Sequence, residues 1–113
     1  MNDNLSASIF IMRLQKLIAE NKLIFKPRNR QKTMQFLFDE GLSVSDVLGF
    51  VKELRPENFY SGPTADDNGS AGDVMVFLQN YKDTKLYIKL KIWTDKNGDA
   101  GVVMSFHKEG QYD

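Results

Sequence analysis

Lys85-Leu86-Tyr87-Ile88-Lys89-Leu90-Lys91-Ile92-Trp93 decides the fold class. Leu86, Ile88, Leu90 and Ile92 recur at every second position, and Lys85, Tyr87, Lys89, Lys91 and Trp93 fill the places between. Because side chains alternate across a strand, this segment predicts a β-strand with one face in a core and the other face polar. Upstream, Val74, Val76 and Leu78 alternate with Met75, Phe77 and Gln79. Both sets are partly apolar, which suits an interior strand covered on each side. Downstream, Val102, Met104 and Phe106 alternate with Val103, Ser105 and His107.

Register adds a further inference. A two-residue hairpin at Asn97-Gly98 would put Met104 and Phe106 on the lysine face and His107 among Leu86 and Ile88. A loop with an odd residue count, or a β-bulge, matches the apolar sets instead and brings His107 nearly opposite Tyr87. The second geometry keeps more apolar surface buried, so it predicts a cluster of Tyr87, Lys89, Ser105 and His107 on the polar face.

Ahead of Pro56 the pattern is helical. Ser6 or Ser8 is placed to cap a helix carrying Phe10, Leu14, Leu17 and Ile18 on one side and fading at Asn21. Leu23 to Phe25 reads as a short strand or extended link stopped by Pro27. A second helix from Asn29 places Met34, Leu37 and Phe38 inward and ends at Gly41, where a left-handed residue is expected. Leu42-Ser43-Val44-Ser45-Asp46-Val47 resembles a capping box with a staple, opening a helix whose buried stripe is Val44, Val47, Leu48, Val51 and Leu54. Tyr60 to Pro63 reads as a turn, and Thr64 to Gly72 as a polar loop with nothing to anchor it. The expected fold is therefore α+β, with N-terminal helices packed on a mainly antiparallel C-terminal β-sheet, in a single domain over residues 1–113.

Composition narrows the chemistry. Fifteen Lys and Arg balance fifteen Asp and Glu, cysteine is absent and histidine occurs once. Thiolate chemistry, disulfides and Cys- or His-rich metal centres are excluded. No apolar run approaches the roughly 18 residues that span a bilayer, so no membrane partner and a cytoplasmic location are expected. Neutral overall, the chain still gathers Lys22, Lys26, Arg28, Arg30 and Lys32 in one segment, and Lys85, Lys89 and Lys91 in another.

Several residues are candidates for function. Tyr87, Lys89, Lys91 and Trp93 offer cations for phosphates and rings for stacking bases, although an ordinary solvated sheet face has the same pattern. His107 is able to exchange a proton at cellular pH, or to serve structure alone. The Lys26 to Lys32 run either binds phosphate at a helix start or is a solvated helix face. Tyr60 and Ser61 belong to a turn or form a rim beside the sheet. Asp66 and Asp67 lack further ligands, so no metal is expected, and neither a phosphate-binding glycine loop nor a Ser/Asp/His signature is present.

The helix before Leu54, Asn58-Phe59-Tyr60-Ser61-Gly62-Pro63 followed by Asp66, Val76-Phe77, Leu86-Tyr87-Ile88-Lys89-Leu90 and Val103-Met104-Ser105-Phe106-His107 together resemble the MqsR family of toxin ribonucleases. That family belongs to bacterial type II toxin and antitoxin pairs and is related in fold to RelE. The resemblance implies a metal-independent endoribonuclease, an mRNA interferase without cofactor, acting on single-stranded mRNA and silenced by a cognate antitoxin. It implies catalytic roles for His107, Tyr87 and Lys89, and substrate contacts from Lys91, Lys85, Trp93, Tyr60 and Ser61. Ser61 stands where the best-known member has a lysine. From a different class, a non-catalytic protein- or RNA-binding module on the same scaffold is the alternative.

Overall fold

Over residues 3–110, which the computed structural model describes, the chain runs α1 (Asp3–Ala19), β1 (Leu23–Phe25), α2 (Arg30–Glu40), α3 (Val44–Lys52), a 3-10 turn (Pro56–Asn58), β2 (Phe59–Thr64), β3 (Asp73–Tyr81), β4 (Thr84–Asp95) and β5 (Gly98–Lys108). The strands form one sheet in the order β1-β5-β4-β3-β2. Every neighbouring pair is antiparallel except β1, which lies parallel to β5 at one edge. The fold is thus α+β, with N-terminal helices on a mixed, mostly antiparallel sheet.

The alternation in β4 is realised residue by residue. Leu86, Ile88, Leu90 and Ile92 are at most 1% exposed and join Phe10, Leu14, Leu17, Val47, Val51, Phe77 and Phe106 in a continuous core. Burial of this apolar stripe against α1, α2 and α3 is what holds helices to sheet. The Ser43 capping box forms as expected: the Ser43 hydroxyl accepts from the Asp46 amide at 3.1 Å and the Asp46 carboxylate accepts from the Ser43 amide at 2.8 Å. Gly41 closes α2 at φ 70°, a left-handed angle that a Cβ disfavours.

Five expectations are corrected. In α1 the helix already begins at Asp3, so Ser6 and Ser8 lie within it. In α2 the inward set is Thr33, Phe36 and Leu37, while Phe38 is 82% exposed and Met34 is at the surface. The reason is at the end of the same stripe, where Glu40 accepts from the Tyr81 hydroxyl at 2.8 Å and from Lys82 at 2.9 Å, and Phe36 meets the Phe106 ring at 6.1 Å. Helical spacing from Glu40 back through Phe36 and Leu37 turns Phe38 outward. In α3, Val44 is exposed at the first turn, and the buried stripe starts at Val47.

The fourth and fifth corrections concern the segment after the 3-10 turn. Tyr60 to Pro63 is not a turn but the middle of edge strand β2, with register shifts on both sides of Ser61 and a cis Gly62–Pro63 peptide. The following loop is anchored. Asp66 is 4% exposed and fixed by side chains from two other parts of the chain.

Candidate functional site

The β4–β5 register resolves the hairpin question through a bulge. Lys96 and Asn97 form a two-residue connection between the paired Asp95 and Gly98, and the register shifts by one residue between Lys89 and Leu90. Met104 is the extra residue. Val103 therefore opposes Leu90 in the core, while Ser105 opposes Lys89 and His107 opposes Tyr87 on the other face. The Tyr87 and His107 rings stack, with centroids 4.9 Å apart and planes 12° from parallel.

Across the face turned away from the helices, cross-strand pairing lines residues up in rows. Leu78, Tyr87 and His107 form one row, Ser61, Val76, Lys89 and Ser105 the next, and Thr64, Val74, Lys91, Val102 and Ile24 a third. Trp93 opposes Ala100 beyond them. The structure thus brings Tyr87, His107, Lys89 and Ser105 together, with Ser61 two strands away from Lys89 at about 10 Å by ordinary strand spacing. Tyr60 is exposed in edge strand β2. Lys85 is exposed on the same face of β4, beyond Tyr87.

His107 is 6% exposed, but it does not belong to the apolar core, since its neighbour Phe106 points there. Its Nδ1 lies 2.8 Å from the Lys108 carbonyl oxygen. A carbonyl oxygen only accepts, so Nδ1 carries hydrogen, and in the neutral ring Nε2 then holds the lone pair.

The two central lysines differ. No carboxylate among the described residues lies within ion-pair reach of half-buried Lys89. Lys91 is buried, and its ammonium donates to Asp66 at 2.7 Å and to the Ser70 hydroxyl at 2.5 Å. Asp66 also accepts both terminal nitrogens of Arg28, at 2.9 and 2.6 Å. Hydrogen bonds from Arg28 and then from Lys91 hold the Asp66 carboxyl well below its ordinary range, and Asp66 raises Arg28 in return.

This Arg28–Asp66–Lys91 cluster is the part of the face that sequence reasoning missed. It joins the β1–α2 connector, the loop before β3 and the centre of β4, which are 38 and 25 residues apart in pairs. The available signal was the acidic pair Asp66-Asp67 in a polar loop and a basic run with no local partner. Gln79 lies on the core side of β3, opposite Leu86, and donates to the Phe50 carbonyl, away from Tyr87 and His107.

Among the described residues, no group of three or more His, Asp or Glu gathers as metal ligands, and no helix is long and apolar enough to cross a membrane. Comparison with protein-family models, with characterised proteins and with solved structures finds no match for this chain.

Proposed function

We propose that this chain is an endoribonuclease toxin of the kind the MqsR resemblance implies, cleaving single-stranded mRNA in the cytoplasm by acid–base transesterification and neutralised by an antitoxin covering the Lys85 to Trp93 face. The observation that carries the reading is the Tyr87–His107 stack with Lys89 in the adjoining row. In the reaction the ribose 2′-oxygen loses its proton and bonds to phosphorus while the 5′-oxygen bond breaks and that oxygen gains a proton. The products are a 2′,3′-cyclic phosphate and a 5′-hydroxyl. His107 Nε2 serves as proton acceptor or, once charged, as donor, and the Tyr87 hydroxyl serves the complementary step. Lys89 stabilises the charge that builds on the phosphoryl oxygens. None of these steps uses a metal.

The test is cleavage of a single-stranded RNA in chelator by the wild-type chain, Tyr87→Phe and His107→Ala. The reading expects losses of about 10²- to 10⁴-fold for the variants, the usual worth of a positioned acid or base. Wild-type rates in folded His107→Ala would overturn these roles.

Two observations favour the second reading, a binding module without catalysis: the imidazole is 6% exposed, and the Lys91 charge is matched by Asp66. That reading expects RNA or protein binding with no new 5′-hydroxyl ends.

A further inference from the structure

A groove of about 590 Å³ runs between β4 and the β1–α2 connector, alongside the Tyr87–His107 pair rather than over it. Its walls are the Trp93 ring, Pro27, Val102 and Met104, and its cations are Lys26, Arg28 and Lys91. The two kinds of surface are separated in a way that suits a molecule with a flat apolar part and an anionic part. We propose that this groove is a nucleotide subsite for single-stranded RNA, with a base against Trp93 and Pro27 and a backbone phosphate on Arg28 and Lys26.

The geometry supports each half. Trp93 is half-buried, and the Lys91 ammonium lies 5.8 Å from its ring centroid. Base stacking on such a ring is tolerant of sequence because every base presents a π-face. Arg28 spends two of its five N–H groups on Asp66 and retains the others, with nearly half of its side chain exposed. Its position is fixed from three sides. Asp66 grips the guanidinium, Lys91 holds Asp66, and the Arg28 amide donates to the Met104 carbonyl at 3.0 Å. Met104 is the bulge residue, so one irregularity both opposes His107 to Tyr87 and docks the connector that carries Arg28. Asp66 and Lys91 are on this account positioning residues, and Arg28 touches the ligand. Asp67, close enough to act on Arg28, trims the positive charge without cancelling it.

The subsite deepens the nuclease reading and rests on it only for the claim that the bound strand is a substrate. Trp93 stands six positions after Tyr87 on β4, about 20 Å along the strand, so a dinucleotide reaches one place or the other but not both.

Trp93 is the single tryptophan of the chain, so its fluorescence reports the groove directly. The experiment titrates the full chain with a 2′-O-methyl octaribonucleotide, which lacks the attacking hydroxyl, at several salt concentrations, and separately assays cleavage of the unmodified octamer. Expected are saturable quenching of Trp93, a loss of about tenfold in affinity in Arg28→Ala, and a fall of about 0.7 in the slope of log K against log salt in Lys26→Ala, the value for one lost phosphate contact on a single strand. Lys26→Ala removes an exposed side chain and leaves the Asp66 cluster intact, so its result stands even if Arg28→Ala misfolds. Quenching with these losses but no cleavage keeps the subsite and removes the nuclease. Cleavage with no quenching, or with quenching indifferent to Lys26→Ala, overturns the subsite and leaves the nuclease standing.

Discussion

Lys89 and Lys91 are two residues apart on one strand face, yet their surroundings assign them different work. Lys89 has no carboxylate within reach among the described residues, whereas Lys91 is buried with its ammonium on Asp66 and Ser70. On the proposed nuclease reading Lys89 supplies charge in the transition state, so Lys89→Ala should slow RNA cleavage by about 10²-fold or more at unchanged thermal stability. Lys91→Ala takes one of two cations from Asp66, leaving Arg28 and the loop's own Asn68 and Ser70, and opens the packing under the loop before β3. Its expected effect is a lowered unfolding midpoint, with a smaller loss of cleavage rate than Lys89→Ala. Paired melting curves and single-turnover rates distinguish the two, and equal kinetic losses would contradict the division. Gly72 shows how tightly that loop lies on β4. With φ +125°, a Cβ there would come within 2.9 Å of Lys91 Cε and 2.8 Å of the Ile92 carbonyl oxygen, which only glycine allows.

At the scale of elements, the orientation of α2 makes a sharp prediction. Phe36→Ala empties a core position against Phe106 and should cost about 3 to 5 kcal/mol, while Phe38→Ser at the exposed position should change stability by less than about 0.5 kcal/mol. Urea denaturation of both variants checks it, and the reverse order would mean that α2 packs through the other side. At α3, Ser43→Ala removes the acceptor for the Asp46 amide and should cost about 1 kcal/mol by the same measurement. The pattern of success at this scale has a physical basis. The period of two in β4 and the Ser43 capping box are encoded by neighbours in sequence, and both were legible. The inward side of α2 was legible only at Leu37, because apolar Phe36 and Phe38 flank it and the choice between them is made by Phe106 and Tyr81 on the sheet. For β2, Gly62-Pro63 reads locally as a turn, and only pairing with β3 makes it a strand. Within the site, the Tyr87–His107 opposition followed from matching apolar sets across the hairpin. Arg28 and Asp66 did not follow, since their attraction acts between segments that no local pattern links.

At the scale of the molecule, three carboxylates among the described residues tie the N-terminal helical half to the sheet and its loops. Asp99 accepts from Arg13 of α1 at 2.9 Å, Asp66 from Arg28, and Glu40 of α2 from Tyr81 and Lys82 at the β3–β4 turn. Each is held below its ordinary range by those hydrogen bonds, Asp99 by Arg13 and then Thr94 to about 2. A carboxyl depressed by folding contributes stability that is complete above its unfolded value and lost as the pH falls through its folded value. For Asp99 the window runs from 3.8 down to about 2, and for Asp66 it extends lower still. Unfolding free energy should therefore fall as acid is added below about pH 4, and less steeply in Asp99→Asn. A wild-type profile flat from pH 5 to pH 2 would contradict these ties as stabilising contacts. The Asp99 and Glu40 ties lie away from Tyr87, His107 and Lys89, whereas the Asp66 tie borders the groove beside Trp93.

The central claim is that this face breaks RNA, and the most direct measurement is the chemistry of the ends it leaves. Transcripts mapped after induction of the chain should carry new internal 5′-hydroxyl ends matched to 2′,3′-cyclic phosphates, and these should vanish with His107→Ala expressed to the same level. End profiles that match an uninduced culture, or breaks that persist unchanged in His107→Ala, would contradict it.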